Sequence, residues 1–297
     1  LPRRKGCAFD TERPTRWIEG YDLLDGRPLW VPYEIVQTDY TFPAPPQQGC
    51  FPLNTNGLGS GNHILEAICH GLCEVVERDA TSIWLYRTWS SKADTRIRLE
   101  TVDDPTCQTT MDRFAEAKIE LAVWDISGDV GVPAFFCLVC DSAAKSGHLG
   151  AGAGCHPCRE IALLRALTEA AQTRLTYITG ARDDMVPDEF TDGGMLEKRA
   201  IVDDFMGRGQ PHRNFREIAT RVNETIREDL DWLVERLGAV EVGPIIVVDL
   251  TNPEIGIPVV RVVVPGLEAP IDDDVVPGPR ARATVERPPT TPNPGNA

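Results

Sequence analysis

The chain has 297 residues, a formal net charge of −15 at pH 7, and 42% hydrophobic against 25% charged residues, the balance of a globular protein with ample material for a core. So acidic a chain lacks the basic footprint of a nucleic-acid-binding surface, and no apolar run suits a membrane-spanning helix or signal peptide, so a cytoplasmic location is expected. Nine cysteines, an odd number with several in apolar segments, read as reduced thiols rather than a disulfide framework.

The opening "WIEGYDLLDGRPLWVPYEIV" predicts two strands joined across an Asp25-Gly26 turn, followed by a Pro-rich connection from Phe42 to Gln48. Residues 54–80, "NTNGLGSGNHILEAICHGLCEVVERDA", read as a glycine loop running into a helix. Thr109 to Lys118 reads as helix, and "IELAVWDI" and "VPAFFCLVC" as strands, the second apolar enough to be buried on both faces. "GAGCHPCREIALLRALTEAAQTRLTYI" predicts a second loop and helix, with Pro157 in the first turn and an apolar stripe of Ile161, Leu164, Leu167, Ala171 and Ile178. The polar stretch from Thr179 to Arg213 reads as a long loop. An amphipathic helix follows, carrying Phe215, Ile218, Val222, Ile226, Leu230, Leu233 and Leu237 and stopping at Gly238. "GPIIVVDL" and "IPVVRVVV" close the folded part as strands, and from Arg280 onward a Pro/Thr-rich tail is expected to be mobile.

An internal repeat lies in this order. A slide of 95 positions sets Gly57 on Gly152, Gly59 on Gly154, Ala67 on Ala162, Leu72 on Leu167 and Glu74 on Glu169. "DISGDVGVPAFF" likewise matches "DLTNPEIGIPVV" with one residue inserted. Each unit is therefore a glycine loop, a helix with a polar stripe, further helix and a strand pair. The opening strand pair reads as the end of an earlier unit, so the N-terminal unit is expected to be incomplete.

On the first repeated helix, Glu66, His70, Glu74 and Glu77 fall within a wedge of roughly 80°, with Asn62 beside it. On the second, Arg165, Glu169 and Gln172 fall within roughly 60°. A solvated face is the ordinary explanation of such stripes. Here, however, the first stripe holds no lysine, and Glu74 and Glu77 repel unless something cationic sits between them. Carboxylates gathered without local cations are how proteins hold magnesium, which usually arrives with phosphates. A glycine loop ahead of the helix could offer N–H groups to those phosphates. Two rivals stand beside this reading. Cys137-x-x-Cys140 with Cys155-x-x-Cys158 mimics a four-thiolate zinc site, although positions three apart on a strand diverge. A catalytic cysteine paired with His70 or His156 is the other.

"TNGLGSGNHILEAICHGLCEVVERDA" and "GAGCHPCREIALLRALTEAAQTR" resemble the two central motifs of the YcaO family, and "VVRVVVPGLEAP…PGPRAR" is similar to that family's closing segment. The resemblance covers most of residues 15–282. It implies an α/β (α+β) YcaO-type fold of repeated helix/strand-pair units with mixed sheets: one catalytic domain over residues 1–282, with 283–297 as a flexible tail. It implies an enzyme that uses ATP and magnesium, held by glutamates on facing helices, to activate a peptide backbone amide towards a thioamide or an azoline. Asn62, Glu66 and Arg78 would contact the nucleotide and Glu74 and Glu77 would hold magnesium. Glu169, Gln172 and Arg174 match the second motif and would also serve ATP. No residue is singled out as the catalyst. A peptide or protein substrate is implied, with a TfuA-like or leader-peptide-binding partner; a homodimer is left open. The family's N-terminal segment, with its own ATP contacts, is not matched, which leads to the expectation that this chain alone binds ATP weakly. The ending Pro292-Asn293-Pro294-Gly-Asn-Ala departs from the Pro-x-Pro-x-Pro terminus of azoline-forming members, which favours the thioamide type. The alternative is an inactive docking module that keeps the fold to bind a peptide or partner.

Overall fold

The computed structural model describes residues 1–41, 49–141, 149–182, 185 and 187–284. In chain order the elements are β1 (Trp17–Asp22), β2 (Arg27–Pro32), α1 (Tyr33–Val36), β3 (Leu58–Ser60), α2 (Ile64–Tyr86), α3 (Trp89–Ala93), α4 (Pro105–Glu116), β4 (Ile119–Asp125), β5 (Ala134–Asp141) and β6 (Gly150–Cys155). Then follow α5 (Arg159–Thr179), α6 (Asp192–Gly207), α7 (Ile226–Ala239), β7 (Ile246–Asp249), β8 (Val259–Val263) and α8 (Pro279–Thr284). The chain divides into two compact units, residues 1–83 with 223–284, and residues 84–222.

The first unit holds a five-stranded sheet in the order β2-β1-β7-β8-β3 and the second a three-stranded sheet, β4-β5-β6. Every ladder between these strands is antiparallel, so the expected mixture of parallel and antiparallel pairing is replaced by hairpins and their neighbours. The β1–β2 hairpin turns across Asp25-Gly26 as predicted, with Gly26 at φ +66°.

The repeat is visible in atomic contacts. What reads as a glycine loop is in both cases a strand pressed onto the following helix. A Cβ on Gly59 would lie 2.2 Å from Ala67 O and 2.8 Å from Gly71 N; one on Gly154 would lie 2.2 Å from Ala162 O and 2.5 Å from Ala166 N. Each helix partner is displaced by the same 95 positions as the glycine that meets it. The hairpins match as well. Asp125 Oδ1 accepts from Ser127 N at 3.0 Å and Ser127 Oγ from Ala134 N at 3.0 Å; Asp249 Oδ1 accepts from Thr251 N at 2.9 Å and Thr251 Oγ1 from Val259 N at 3.2 Å. The opening hairpin ends β1 in the same way, with Leu24 N donating to Asp22 Oδ1 at 3.0 Å.

Close approach also explains where the expected helix faces differ. α5 buries Ala162, Leu163, Ala166, Leu167 and Ala170; of the predicted stripe Leu167 is buried and Leu164 packs beside it, but Ile161 is 42% and Ile178 45% exposed. Small residues face the strand because larger ones would not fit, and the bulky apolar ones are displaced outward. Pro157 lies outside the helix, whose N-cap is Cys158. α4 begins earlier than expected because Asp104 caps it, Oδ1 accepting from Cys107 N at 2.8 Å, with Pro105 in the first turn.

The segment read as a loop from Thr179 to Arg213 contains α6, started by Thr191 accepting from Gly194 N and tied by Arg199–Asp203 and Arg208–Asp204 pairs four residues apart. Conversely, the long amphipathic helix expected from Phe215 is only α7. Residues 215–217 form a 3₁₀ turn, Val222 is 76% exposed, and a Thr225/Glu228 capping box starts the helix at Ile226. Gly238 lies inside α7, which ends at Ala239. The tail expected from Arg280 begins later, because Pro279–Thr284 is helical; residues 285–297, like the Pro-rich connection 42–48, lie outside the described residues. One cysteine pair also departs from the all-reduced expectation: Cys7 and Cys50 form a disulfide, and the other seven cysteines are thiols.

The second unit packs Trp84, Trp124, Phe136 and Phe205 together, with Lys92 against the Trp84 and Phe205 rings. Lys92 is 3% exposed, donates from Nζ to Leu85 O at 2.8 Å and lies 4.8 Å from the Trp89 ring centroid. Burial lowers its ammonium from 10.5 to about 8. A group that loses its proton more easily in the folded state adds stability as pH rises between those two values.

Two outcomes follow from this packing. Gly154→Ala should lower stability by about 1–3 kcal/mol through overpacking. Gly207→Ala, where a Cβ meets nothing within 4 Å, should stay within about 1 kcal/mol of the parent in the same thermal melts. Lys92→Met should raise the melting midpoint at pH 7, and that advantage should shrink towards pH 9.5 as the parent's lysine sheds its charge; an advantage independent of pH would refute the burial cost.

Candidate functional site

The first stripe is organised by α2 and the strand ahead of it. Asn62 and Glu66 are brought together: Glu66 Oε2 accepts from Asn62 N at 2.8 Å and from Asn62 Nδ2 at 3.2 Å, placing a carboxylate over the first turn of the helix. Two turns on, Glu74 Oε2 accepts from Gly57 N at 3.2 Å, a bond made possible by the close passage of the strand. Arg78 stands between Glu74 and Glu77, with Nη2 3.8 Å from Glu74 Oε1 and Nε 4.0 Å from Glu77 Oε1. Both contacts are longer than hydrogen bonds, so one guanidinium is loosely shared by two carboxylates. The carboxylates are not well solvated, their side chains being 20% and 11% exposed. Burial raises the Glu74 carboxyl above its ordinary 4.5, against the opposing pull of Arg78, the Gly57 amide, His70 and Arg261. His70 itself is exposed on the stripe.

The second stripe repeats part of this in the other unit. Glu169 Oε2 accepts from Ala153 N at 2.7 Å, the counterpart of the Glu74 bond one residue further along the strand. Gln172 is exposed and Arg165 Nη1 donates to Cys155 O at 3.1 Å. Arg174 turns away, about 140° around α5 from Glu169 by helical geometry. It pairs through Nη2 with Asp141 Oδ1 at 2.7 Å at the end of β5, and its Nε is buried without a partner among the described residues.

The zinc alternative does not form. Among the described residues no three His, Cys, Asp or Glu side chains gather as a metal cluster. The four cysteines have separate surroundings: Cys140 lies against Met206 at 3.7 Å, Cys158 donates to Glu160 Oε2 at 3.1 Å, and Cys137 and Cys155 are wholly buried. Burial pushes the Cys140 thiol up to about 11, which also removes it as a nucleophile.

The residues present do fit a magnesium ion of the kind that takes one or two carboxylates and fills its remaining positions with water and phosphate oxygens. Glu74 and Glu77 are adjacent and poorly solvated, and Arg78 approaches them no closer than 3.8 and 4.0 Å. Two polar groups escaped the sequence reading. Asp79, 1% exposed, accepts both Arg280 Nε at 3.0 Å and Glu268 N at 2.8 Å on Oδ1 and Arg280 Nη2 at 2.9 Å on Oδ2. Arg261, 2% exposed, interrupts the valines of β8. A lone arginine inside "VVRVVV" was the available signal for the second; the basic "PGPRAR" was the signal for the first.

Comparison with known proteins fits this geometry. Residues 2–268 match the family described as YcaO cyclodehydratase, ATP- and Mg2+-binding. A Rhizobium leguminosarum bv. trifolii protein named for the tfuA 3′ region is 34% identical over 91% of this chain and 65% of its own length. A Methanothermobacter thermautotrophicus protein is 32% identical over 94% of this chain and 72% of its own. Among solved structures, YcaO from Methanopyrus kandleri bound with AMPPCP and Mg2+ superposes with a TM-score of 0.71 at 26% identity, covering 95% of this chain and 71% of that one. A heterocyclase in complex with substrate and cofactor gives 0.71 at 26% identity over 91% of this chain, which spans only 35% of its length. The chain belongs to the YcaO family.

Glu74→Gln should raise the melting midpoint of the metal-free protein, because it removes a buried charge and at least a few tenths of a kcal/mol of like-charge repulsion. A lowered midpoint would mean that Arg78 and Gly57 already compensate the carboxylate in full.

Proposed function

We propose that the protein uses ATP and Mg2+ to activate the oxygen of a peptide backbone amide, leading to a thioamide or an azoline in a ribosomally made peptide or protein. The observation that carries this reading is the poorly solvated Glu74–Glu77 pair, which Arg78 approaches only at 3.8–4.0 Å, on the motif through which the chain matches an ATP- and Mg2+-binding family. Glu74 and Glu77 are the metal ligands in this reading; Asn62, Glu66 and Arg78 contact the nucleotide, as do Glu169 and Gln172 of the second motif. Magnesium-bound triphosphate supplies the phosphoryl group that turns the amide oxygen into a leaving group after a nucleophile has added to the carbonyl.

The chain's own contribution is positioning and electrostatics. Glu74 is oriented by the Gly57 amide and Glu66 by Asn62, so both carboxylates are aimed before any ligand arrives. Arg78, which makes no close bond to either carboxylate, would offer its guanidinium to the phosphate oxygens of a bound nucleotide. Arg174 acts through Asp141, holding the end of β5 near the second motif. The nucleophile follows from the product: a Cys, Ser or Thr side chain of the substrate for an azoline, an external sulfur donor for a thioamide. The incomplete proline terminus and the relative named for the tfuA 3′ region support the thioamide type with a TfuA-like partner. No helix among the described residues is long and apolar enough to cross a membrane, and we place the reaction in the cytoplasm, where ATP and reduced thiols coexist.

Phosphate release from ATP, measured with the full-length protein, its partner and a substrate peptide, tests the assignment. Glu74→Gln and Glu77→Gln should each cut turnover by about 100-fold or more, a loss of roughly 2.7 kcal/mol of transition-state stabilisation, with circular dichroism unchanged. Glu169→Ala and Gln172→Ala should reduce turnover at unchanged melting midpoint, whereas Arg174→Ala should lower the midpoint as well. Normal turnover in both Gln variants would leave an inactive docking module as the better reading.

A further inference from the structure

β8 carries one charged residue among valines, and its surroundings are incomplete. Val262 points at α2, since a Cβ on Gly71 would lie 2.7 Å from Val262 Cγ2. Arg261, one position along the strand, therefore points to the other face of the sheet. There its Nη2 donates to Asn54 Oδ1 at 3.2 Å. Its Nε and Nη1 are buried with no hydrogen-bond partner among the described residues, and so is Oδ1 of the nearby Asn56.

Arg261, Asn54 and Asn56 line a cavity of about 40 Å³, walled by Val75, Val262 and Leu267. One water needs roughly 10–15 Å³, so the space suits a small polyatomic group.

The charges that face this arginine are already engaged. Glu268 also lines the cavity, but its Oε1 accepts from Ala281 N at 2.9 Å and its Oε2 from Gly278 N at 2.6 Å at the start of α8. Glu74, which attracts Arg261 electrostatically, is bonded to Gly57 N and lies beside Arg78. Tyr40 offers only a phenol. A guanidinium buried without counter-charge is expensive to keep, more so with two N–H groups unmet. The cavity is where the missing acceptor would sit.

We infer that this cavity binds a small oxyanion, of phosphate or carboxylate type, held by Nε and Nη1 of Arg261 with the Asn56 amide turned to present its Nδ2. The site needs neither ATP nor magnesium, so it stands or falls apart from the nucleotide reading.

Calorimetric titration of the metal- and nucleotide-free protein with inorganic phosphate, and separately with acetate, against chloride at equal ionic strength, provides the test. The expected result is saturable binding of at least one of the two, one per chain. Binding of phosphate alone, acetate alone or both names the class of oxyanion. Arg261→Met should weaken it about tenfold or more, and Arg78→Gln on the nucleotide stripe should leave it unchanged. Because removing a buried arginine can unfold the protein, Asn56→Asp serves as the second variant. It supplies the missing counter-charge in place, and should raise the melting midpoint while abolishing anion binding. No saturable binding of either anion at millimolar concentration, binding that survives Asn56→Asp, or binding lost in Arg78→Gln would overturn the proposal.

Discussion

Two strands lie closer to their helices than side chains normally permit, and the remaining features of both units follow from that approach. Gly59 against Ala67 and Gly154 against Ala162 leave less space than a methyl group requires. At these two contacts the helix presents alanine and the strand presents glycine. In exchange, backbone N–H groups of the strands come within reach of carboxylates on the helices, Gly57 to Glu74 and Ala153 to Glu169. At ordinary strand–helix spacing a glutamate nearly three turns into a helix would look out to water. Here it is oriented by the main chain.

That orientation has an energetic consequence. A carboxylate drawn under a strand loses hydration, and one N–H bond with a distant arginine does not restore it, which is why burial dominates over the opposing charges at Glu74. Holding Glu74 and Glu77 three residues apart on one helix adds repulsion to desolvation. The helix tolerates this because its other face contributes Ala67, Leu72, Val75 and Val76 to the core, each 4% exposed or less. The unfavourable term is confined to a few atoms and the favourable one is spread over the helix, the distribution expected where a site awaits a cation.

The duplication and the stripe were legible because both are contrasts within the sequence: glycines recurring at one offset, and carboxylates without a lysine among them. Secondary structure was less legible where packing overrides hydropathy. On α5, isoleucines at 161 and 178 look like a core face, yet the alanines are buried because only they admit the strand. α6 was hidden by Gly193 and Gly194 at its start, where Thr191 caps the helix and compensates for poor propensity. The helix expected from Phe215 was overextended because Phe215, Ile218 and Leu230 are all buried at helical spacing, but from different backbone conformations. The Cys7–Cys50 pairing could not be read at all, since nothing in the spacing distinguishes those two cysteines from the other seven.

Within the motif itself, contact lengths separate residues that hold the fold from residues left ready for a ligand. Asp79 is the neighbour of Arg78 in sequence, and both are charged side chains on the same helix. Asp79 makes three contacts of 2.8–3.0 Å, which lock the turn at Glu268 and the start of α8 onto α2. Glu268 then caps α8 with both oxygens, so this part of the network is saturated and has no capacity for a ligand. Arg78 meets Glu74 and Glu77 only at 3.8 and 4.0 Å. Asp79 is spent on architecture, while Arg78 beside it holds its carboxylate neighbours only at longer range. A sequence shows both as "ERD"; only the distances show which of the charges remains available to bind something else.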